Sequence, residues 1–252
     1  MSDLAEHLLR ARAEARVVDV GLAKGMVGTV TDAYVVQDQL VAMLGGEVRG
    51  WKVTALTPEQ QRSYLADKPV AGPLVAPFFH KAPASLGLQQ FIAPLLECEI
   101  AFLLGQDLPP RETPYQRAEI EAAVEAIVPA IEVADCRWPG DAPGLLKLAD
   151  DMGNGAFVAG HPIRDWRGID LGIQDVALTF AGVETARGPC SRILGDPLLA
   201  VLALANTQPL PAGGLKSGQI ITTGTCIEPI PLKAGSYVAD FGPVGRLSLS
   251  VS

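Results

Sequence analysis

The sequence predicts an α+β fold in which a mainly helical N-terminal cap precedes a β-rich domain. Three observations carry this reading. Apolar residues recur at helical spacing over the first 45 residues. From about residue 70, Pro and Gly become frequent and divide the chain into short apolar runs. The last third sets strand-length apolar runs between turn pairs such as Ser217-Gly218 and Ala234-Gly235. The expected division is 1–70 for the helical cap region and 71–252 for the β-rich domain, joined as one continuous structural unit.

The elements follow in order. Leu4, Leu8, Leu9 and Ala13 fall on one helical stripe. A second helix carries Ala33, Val36, Leu40, Met43 and Leu44 on one face, with Thr31 or Asp32 as its cap and Gly45-Gly46 as its end. A short strand is expected over Glu47–Val53, and Thr57-Pro58-Glu59-Gln60 opens another short helix. Leu95–Leu104 reads as a strand, Gln116–Ile127 as a helix, and Ala130–Ala134 as a strand. Asp175–Phe180 and Val183–Ala186 form a hairpin around Ala181-Gly182. Asp196-Pro197 opens a helix through Leu204. Strands over Gln219–Thr223, Tyr237–Phe241 and Arg246–Val251 close the chain.

Composition narrows the function classes. Of 252 residues, 48% are hydrophobic and 19% charged, which predicts a sizeable core and argues against disorder. A net charge of −8 repels phosphate backbones, so no nucleic-acid partner is expected. No apolar run approaches the roughly 18–20 residues needed to cross a bilayer, so no membrane partner is expected. Met1–Arg16 mixes acids and arginines and has no signal-peptide core. The four cysteines (Cys98, Cys136, Cys190, Cys226) form no CxxC pair and read as reduced thiols of a cytoplasmic protein.

The segment Leu95-Leu96-Glu97-Cys98-Glu99-Ile100-Ala101-Phe102 carries the chemistry. Residues two apart in a strand share a face, so Glu97 and Glu99 point the same way within an apolar run. Two carboxylates crowded in a core-like setting repel each other and lose hydration, and a bound cation relieves both costs. The alternative is a strand face turned to water. A second apolar strand, Pro129–Asp135, contains Glu132. Three carboxylates with waters make an oxygen-rich site suited to Mg²⁺ or Mn²⁺ rather than zinc. The alternative for Glu132 is an edge-strand acid.

The chain resembles the hydratase/decarboxylase branch of the fumarylacetoacetate hydrolase superfamily. The resemblance runs through Asp32–Gln37, Gly50-Trp51-Lys52-Val53, Glu97–Phe102, Ile131–Arg137, Ala149-Asp150-Asp151 with Asn154-Gly155, Leu204–Thr207 and Leu215–Thr225. It implies a fumarylacetoacetate-hydrolase-type mixed β-sheet roll or barrel with a helical N-terminal cap. It implies Glu97, Glu99 and Glu132 as ligands of Mg²⁺ or Mn²⁺, Lys52 in the substrate pocket, and Thr225 at the substrate carboxylate. It further implies a small 2-oxo or 2-hydroxydienoic acid substrate and a homo-oligomer. The expected activity is hydration of a 2-hydroxydienoate. Decarboxylation or C–C hydrolysis on the same metal site, and a non-catalytic binding relative, stand as alternatives. The cation is expected to chelate the substrate's carboxylate and 2-oxygen and act there as an electron sink.

Six further residues are read beside this set. Asp135 and Arg137 pair to orient Glu132, or form a surface salt bridge of little worth. Asp150 and Asp151 lie in a Gly-rich loop with Asn154. Asp150 is taken as a substrate-binding candidate against the alternative of a plain turn. The chain departs from the family over 72–80, where an expected acid is replaced by Ala76 or Pro77. This passes acid–base work to another group. His80 is the candidate, because its ordinary pKa lies near neutrality, against the alternative of a packing residue.

Overall fold

The computed structural model describes residues 2–208 and 214–252. Six α-helices lie among them: α1 (Ser2–Ala13), α2 (Val30–Leu44), α3 (Pro58–Ser63), α4 (Arg117–Ala123), α5 (Gly144–Ala149) and α6 (Leu198–Thr207). The strands of the first half are β1 (Val48–Thr54), β2 (Val70–Val75), β3 (Phe79–Lys81), β4 (Ala84–Leu86), β5 (Leu95–Leu104) and β6 (Val124–Ala134). Those that follow are β7 (Asn154–Ala159), β8 (Asp175–Phe180), β9 (Val183–Pro189), β10 (Ile220–Thr225), β11 (Ile230–Pro231), β12 (Gly235–Asp240) and β13 (Arg246–Val251). An eight-stranded mixed sheet runs β2-β1-β10-β5-β6-β7-β3, with β11 paired to β5, and curls into a half-barrel. A five-stranded sheet runs β4-β13-β12-β8-β9. No described helix is long and apolar enough to cross a membrane.

The helical cap forms because its apolar stripes bury against one another. Leu4, Leu8 and Ala11 of α1 pack with Ala33, Val36 and Leu40 of α2 and with Leu146 and Leu148 of α5. Helix α2 starts one to two residues before the expected cap. Thr29 is the N-cap: its Oγ1 accepts from Asp32 N at 3.1 Å, while Asp32 Oδ2 accepts from Thr29 N at 2.9 Å. This reciprocal box satisfies two donors at the open end, which Thr31 inside the first turn cannot do. Within 1–70 the expected strand forms as β1 and sits inside the large sheet. Gly50 permits that position: a Cβ there would meet Ile220 O of the adjacent parallel strand at 1.9 Å.

The helix expected over Gln116–Ile127 ends at Ala123, and β6 begins at Val124. Val124, Ile127 and Val128 pair with Leu104, Phe102 and Ala101 of β5, and this long-range ladder overrides the local helical reading. In the expected hairpin, Ala181 and Gly182 take φ of 49° and 83°, the left-handed pair that a two-residue turn between twisted strands requires.

The two faces of β5 settle where chemistry can occur. Cys98, Ile100, Phe102 and Leu104 enter the main core with Ile131 and Val133, beneath Tyr237, Leu247 and Leu249 of the second sheet. The opposite face carries Glu97, Glu99, Ala101 and Leu103. Ala101 packs there with Leu74, Val128, Ala130, Phe157 and Ile220 in a smaller apolar cluster. The acids therefore stand at one end of an apolar inner face of the curled sheet.

Candidate active site

The acids converge through strand pairing. Glu97 and Glu132 are direct Cα partners across β5 and β6, and Glu99 lies two residues along on the same face. One carboxylate oxygen from each of Glu97, Glu99 and Glu132 lies within 4.8 Å of the others. Glu99 and Glu132 are buried to 1% exposure, so they do not form a solvated strand face.

Glu99 is held by β10. Thr222 Oγ1 donates a hydrogen bond to its carboxylate, and Gly224 N donates at 3.0 Å. A register shift between Thr222 and Thr225 brings these donors inward, with Gly224 at φ 102°. Lys52 rises from β1 to bond Glu132 directly and Met152 O at 3.1 Å.

The electrostatics follow from crowding. Burial first, then the neighbouring Glu132, pushes the Glu97 carboxyl up to about 7 from an ordinary 4.5. Glu99 is raised well above the ordinary range by burial and then by Glu132 and Glu97. Burial opposes the Lys52 ammonium, but the three acids, Glu132 foremost, outweigh it and raise its pKa. One lysine thus offsets part of a three-carboxylate charge. A divalent cation fits the donors that remain: hard oxygens, mutually repelling, and close enough to share one ion.

A cavity of about 250 Å³ opens beside Glu97 and is lined by Thr225, Arg192, Ile193, Thr57 and Gln60. Thr225 thus lies in the cavity wall that also includes Glu97. Its hydroxyl donates to Ile227 O at 2.9 Å and accepts from Ile227 N at 3.3 Å. Arg192 was not singled out from the sequence. It reaches the cavity from a 3₁₀ turn after β9 and pairs with Glu228, which is 80% exposed.

Two expected residues are not brought to this cluster. Asp150 is fully buried, and its carboxylate is taken up by Arg137: Oδ1 accepts from Nε at 2.7 Å and Oδ2 from Arg137 N at 2.7 Å. It anchors the loop rather than offering a free oxygen. His80 pairs with Val158 on β7, one residue out of phase with Phe79, Phe157 and Glu132, so it belongs to the other face of the sheet. Its pKa is lowered by burial. The expected Asp135–Arg137 side-chain pair is likewise absent. Asp135 instead accepts from Ile92 N and Ala93 N, fixing the approach to β5.

Asp151, next to the anchored Asp150, is the acid the loop turns inward. It is fully buried, and its Oδ1 has no hydrogen-bond partner. Loop composition could flag Asp151 but could not separate it from Asp150, because the distinction lies in the backbone. Asp151, Met152 and Gly153 all take left-handed φ, at 51°, 55° and 66°.

No protein-family model matches the chain. Solved structures resemble it over 80% to 100% of its length. The 4-oxalocrotonate decarboxylase of Pseudomonas putida G7, complexed with magnesium and adipate, has a TM-score of 0.89 at 22% identity, covering 100% of this chain and 97% of that one. A fumarylacetoacetate hydrolase family protein of Yersinia pestis CO92 has a TM-score of 0.58 at 14% identity, over 80% and 92% of the two chains. These likenesses show a fumarylacetoacetate-hydrolase-type fold, and in this chain that fold brings three carboxylates together. Among sequence relatives, 2-keto-4-pentenoate hydratase of Paraburkholderia xenovorans is 30% identical over 212 residues, 82% of this chain and 77% of the relative. The chain belongs to the hydratase/decarboxylase branch of the fumarylacetoacetate hydrolase superfamily, typified by 2-keto-4-pentenoate hydratase.

Proposed function

We propose that this protein adds water to a small 2-hydroxydienoate, as its hydratase relatives are named for doing, with Mg²⁺ or Mn²⁺ held by Glu97, Glu99 and Glu132. The observation that carries the proposal is the carboxylate triad, with Glu99 and Glu132 buried, Glu97 half-buried and Lys52 bonded to Glu132. When bound, the cation supplies charge neutralisation and Lewis-acid polarisation at the substrate's 2-oxygen.

The chain's own residues do the rest. The Thr222 hydroxyl and Gly224 amide fix the orientation of Glu99. Lys52, kept charged by the acids, supplies a positive group beside the anionic end of the substrate. Thr225 and Arg192 line the cavity beside Glu97, which would take the far end of a longer substrate. The apolar cluster of Leu74, Ala101, Val128 and Phe157 keeps water out from behind the acids.

A decarboxylase reading is favoured by one observation, the cationic Arg192 in the cavity, which suits a substrate with a second carboxylate. The two readings separate on products. Protein supplied with Mg²⁺ and 2-hydroxypenta-2,4-dienoate should deplete the dienol absorbance and yield a product one water heavier. No adduct, with CO₂ release from 4-oxalocrotonate instead, would replace hydration with decarboxylation. A homo-oligomeric state and a cytoplasmic location belong to the same proposal.

A further inference from the structure

Asp151 is a buried acid without a structural explanation. Its Oδ1 is unpartnered, and its Oδ2 accepts only a long 3.4 Å bond from Asn154 Nδ2. Two further orphans lie in the same cluster, Asn154 Oδ1 and Arg12 Nε. Arg12 comes from α1, donates to Asn154 O, and lies 4.3 Å from the centroid of the Phe78 ring. A native core rarely keeps three unpartnered polar atoms together without a ligand or water to satisfy them.

The position of the carboxyl is set by Gly72. Gly72 is the direct antiparallel partner of Lys52, so the two share a face of the sheet. A Cβ at Gly72 would lie 2.9 Å from Asp151 Oδ1 and 3.1 Å from Met152 Cγ. The glycine therefore opens the space that the Asp151 carboxyl occupies, on the face from which Lys52 rises. The Lys52 ammonium is tied to the carbonyl of the very next residue, Met152. The stretch 70–80 running past Lys52 contains no other carboxylate.

We propose that Asp151 is the acid–base residue of this site, exchanging protons with the substrate's carbon chain. Burial pushes its carboxyl up to about 7 from an ordinary 3.8, against the opposing pull of Arg12, Lys52 and Arg137, so both protonation states are populated at neutral pH. The substrate identity rests on the hydratase reading; the placement of the carboxyl does not.

Proton bookkeeping for hydration closes on this one group. The 2-hydroxyl proton of the dienoate leaves to solvent as the C2=O bond forms. The double bonds shift so that the C4=C5 electron pair takes a proton from Asp151 at C5, leaving a C3=C4 enone. Water oxygen then bonds to C4, its proton passes to the Asp151 carboxylate, and the C3=C4 pair moves toward C2. Asp151 returns that proton to C3. It is left as the carboxylate and regains a proton from solvent, matching the one released from the 2-hydroxyl.

The test is Asp151→Asn, isosteric and at home in left-handed backbone. Turnover of 2-hydroxypenta-2,4-dienoate should fall about 100-fold or more in kcat, with KM and Mn²⁺ affinity within about threefold of wild type. In the metal-free protein, the infrared C=O band of a protonated carboxyl that titrates near neutrality should lose one component in the variant. A variant with unchanged kcat, or with no change in that band, overturns the proposal. If wild type hydrates no dienoate, deuterium exchange at C3 of pyruvate with Mg²⁺ present still decides. Exchange by wild type that is lost in Asp151→Asn supports the role, and equal exchange, or none by either protein, overturns it.

Discussion

Glu97 and Glu132 stand directly opposite each other across β5 and β6, two acids at a position where a sheet ordinarily places apolar or oppositely charged partners. Like charges directly opposite destabilise a sheet, and here a third acid, Glu99, adds to the repulsion. The arrangement makes physical sense as a cation site.

Glu99→Gln preserves shape and removes one carboxylate charge from the triad. Mn²⁺ affinity by calorimetry should fall at least about tenfold, and hydration should fall with it. Unchanged affinity and activity would remove Glu99 from the ligand set.

The raised carboxyl of Glu97 fixes a sign for stability. Its folded pKa, about 7, exceeds its ordinary 4.5, so the folded metal-free protein binds the proton more tightly than the unfolded chain. That contribution is fully present below about 4.5 and is lost as pH rises through about 7. Glu99 shifts in the same direction. A cation displaces the protons and relieves the repulsion, so the rise in Tm on adding Mg²⁺ should grow from pH 5 to pH 8. Thermal melts with EDTA and with Mg²⁺ across that range check it, and a rise independent of pH would contradict it.

Lys52→Met keeps the stem's packing and deletes the ammonium beside Glu132. We expect kcat/KM to fall about 100-fold or more, while Mn²⁺ binding persists because the charge of the carboxylate triad is then less compensated. Loss of Mn²⁺ binding with the fold intact would make Lys52 a structural support of the triad instead.

Arg192 holds only the exposed Glu228, a pair of little energetic worth that a ligand carboxylate can displace. Arg192→Ala should raise KM for a 2-hydroxydienoate with a distal carboxylate about tenfold and leave the monocarboxylate within about threefold. Equal effects on both substrates would mean that Arg192 acts on the common end, near Glu97.

Arg137 and Asp150 form a fully buried ion pair that secures the loop carrying Asp151. Arg137→Met leaves Asp150 buried and unpaired, so a loss of about 3–5 kcal/mol in unfolding free energy by urea titration is expected. A loss below about 1 kcal/mol would mean that other contacts hold the loop.

Much of the site was legible because it rests on a period of two. Glu97 and Glu99 declare a shared face in any strand register, and Glu132 sits in an equally apolar run. Lys52 was reached through resemblance, and its pairing with Glu132 required the fold. What the sequence hid depends on distant contacts. His80 and Phe79 are adjacent, and only pairing with β7 reveals that His80 takes the other face. Asp150 and Asp151 are adjacent acids with different partners: Arg137 takes one, and a left-handed backbone over a distant glycine turns the other inward. The start of β6 at Val124 was masked by helix-forming residues that run up to it.

The most direct measurement is a titration of metal-free protein with Mn²⁺ that follows bound metal and hydration of 2-hydroxypenta-2,4-dienoate together. The account predicts no hydration in EDTA, then a rate that rises in proportion to bound Mn²⁺ and saturates at one ion per chain. Hydration that persists in EDTA, or full Mn²⁺ occupancy with no water adduct, would contradict it.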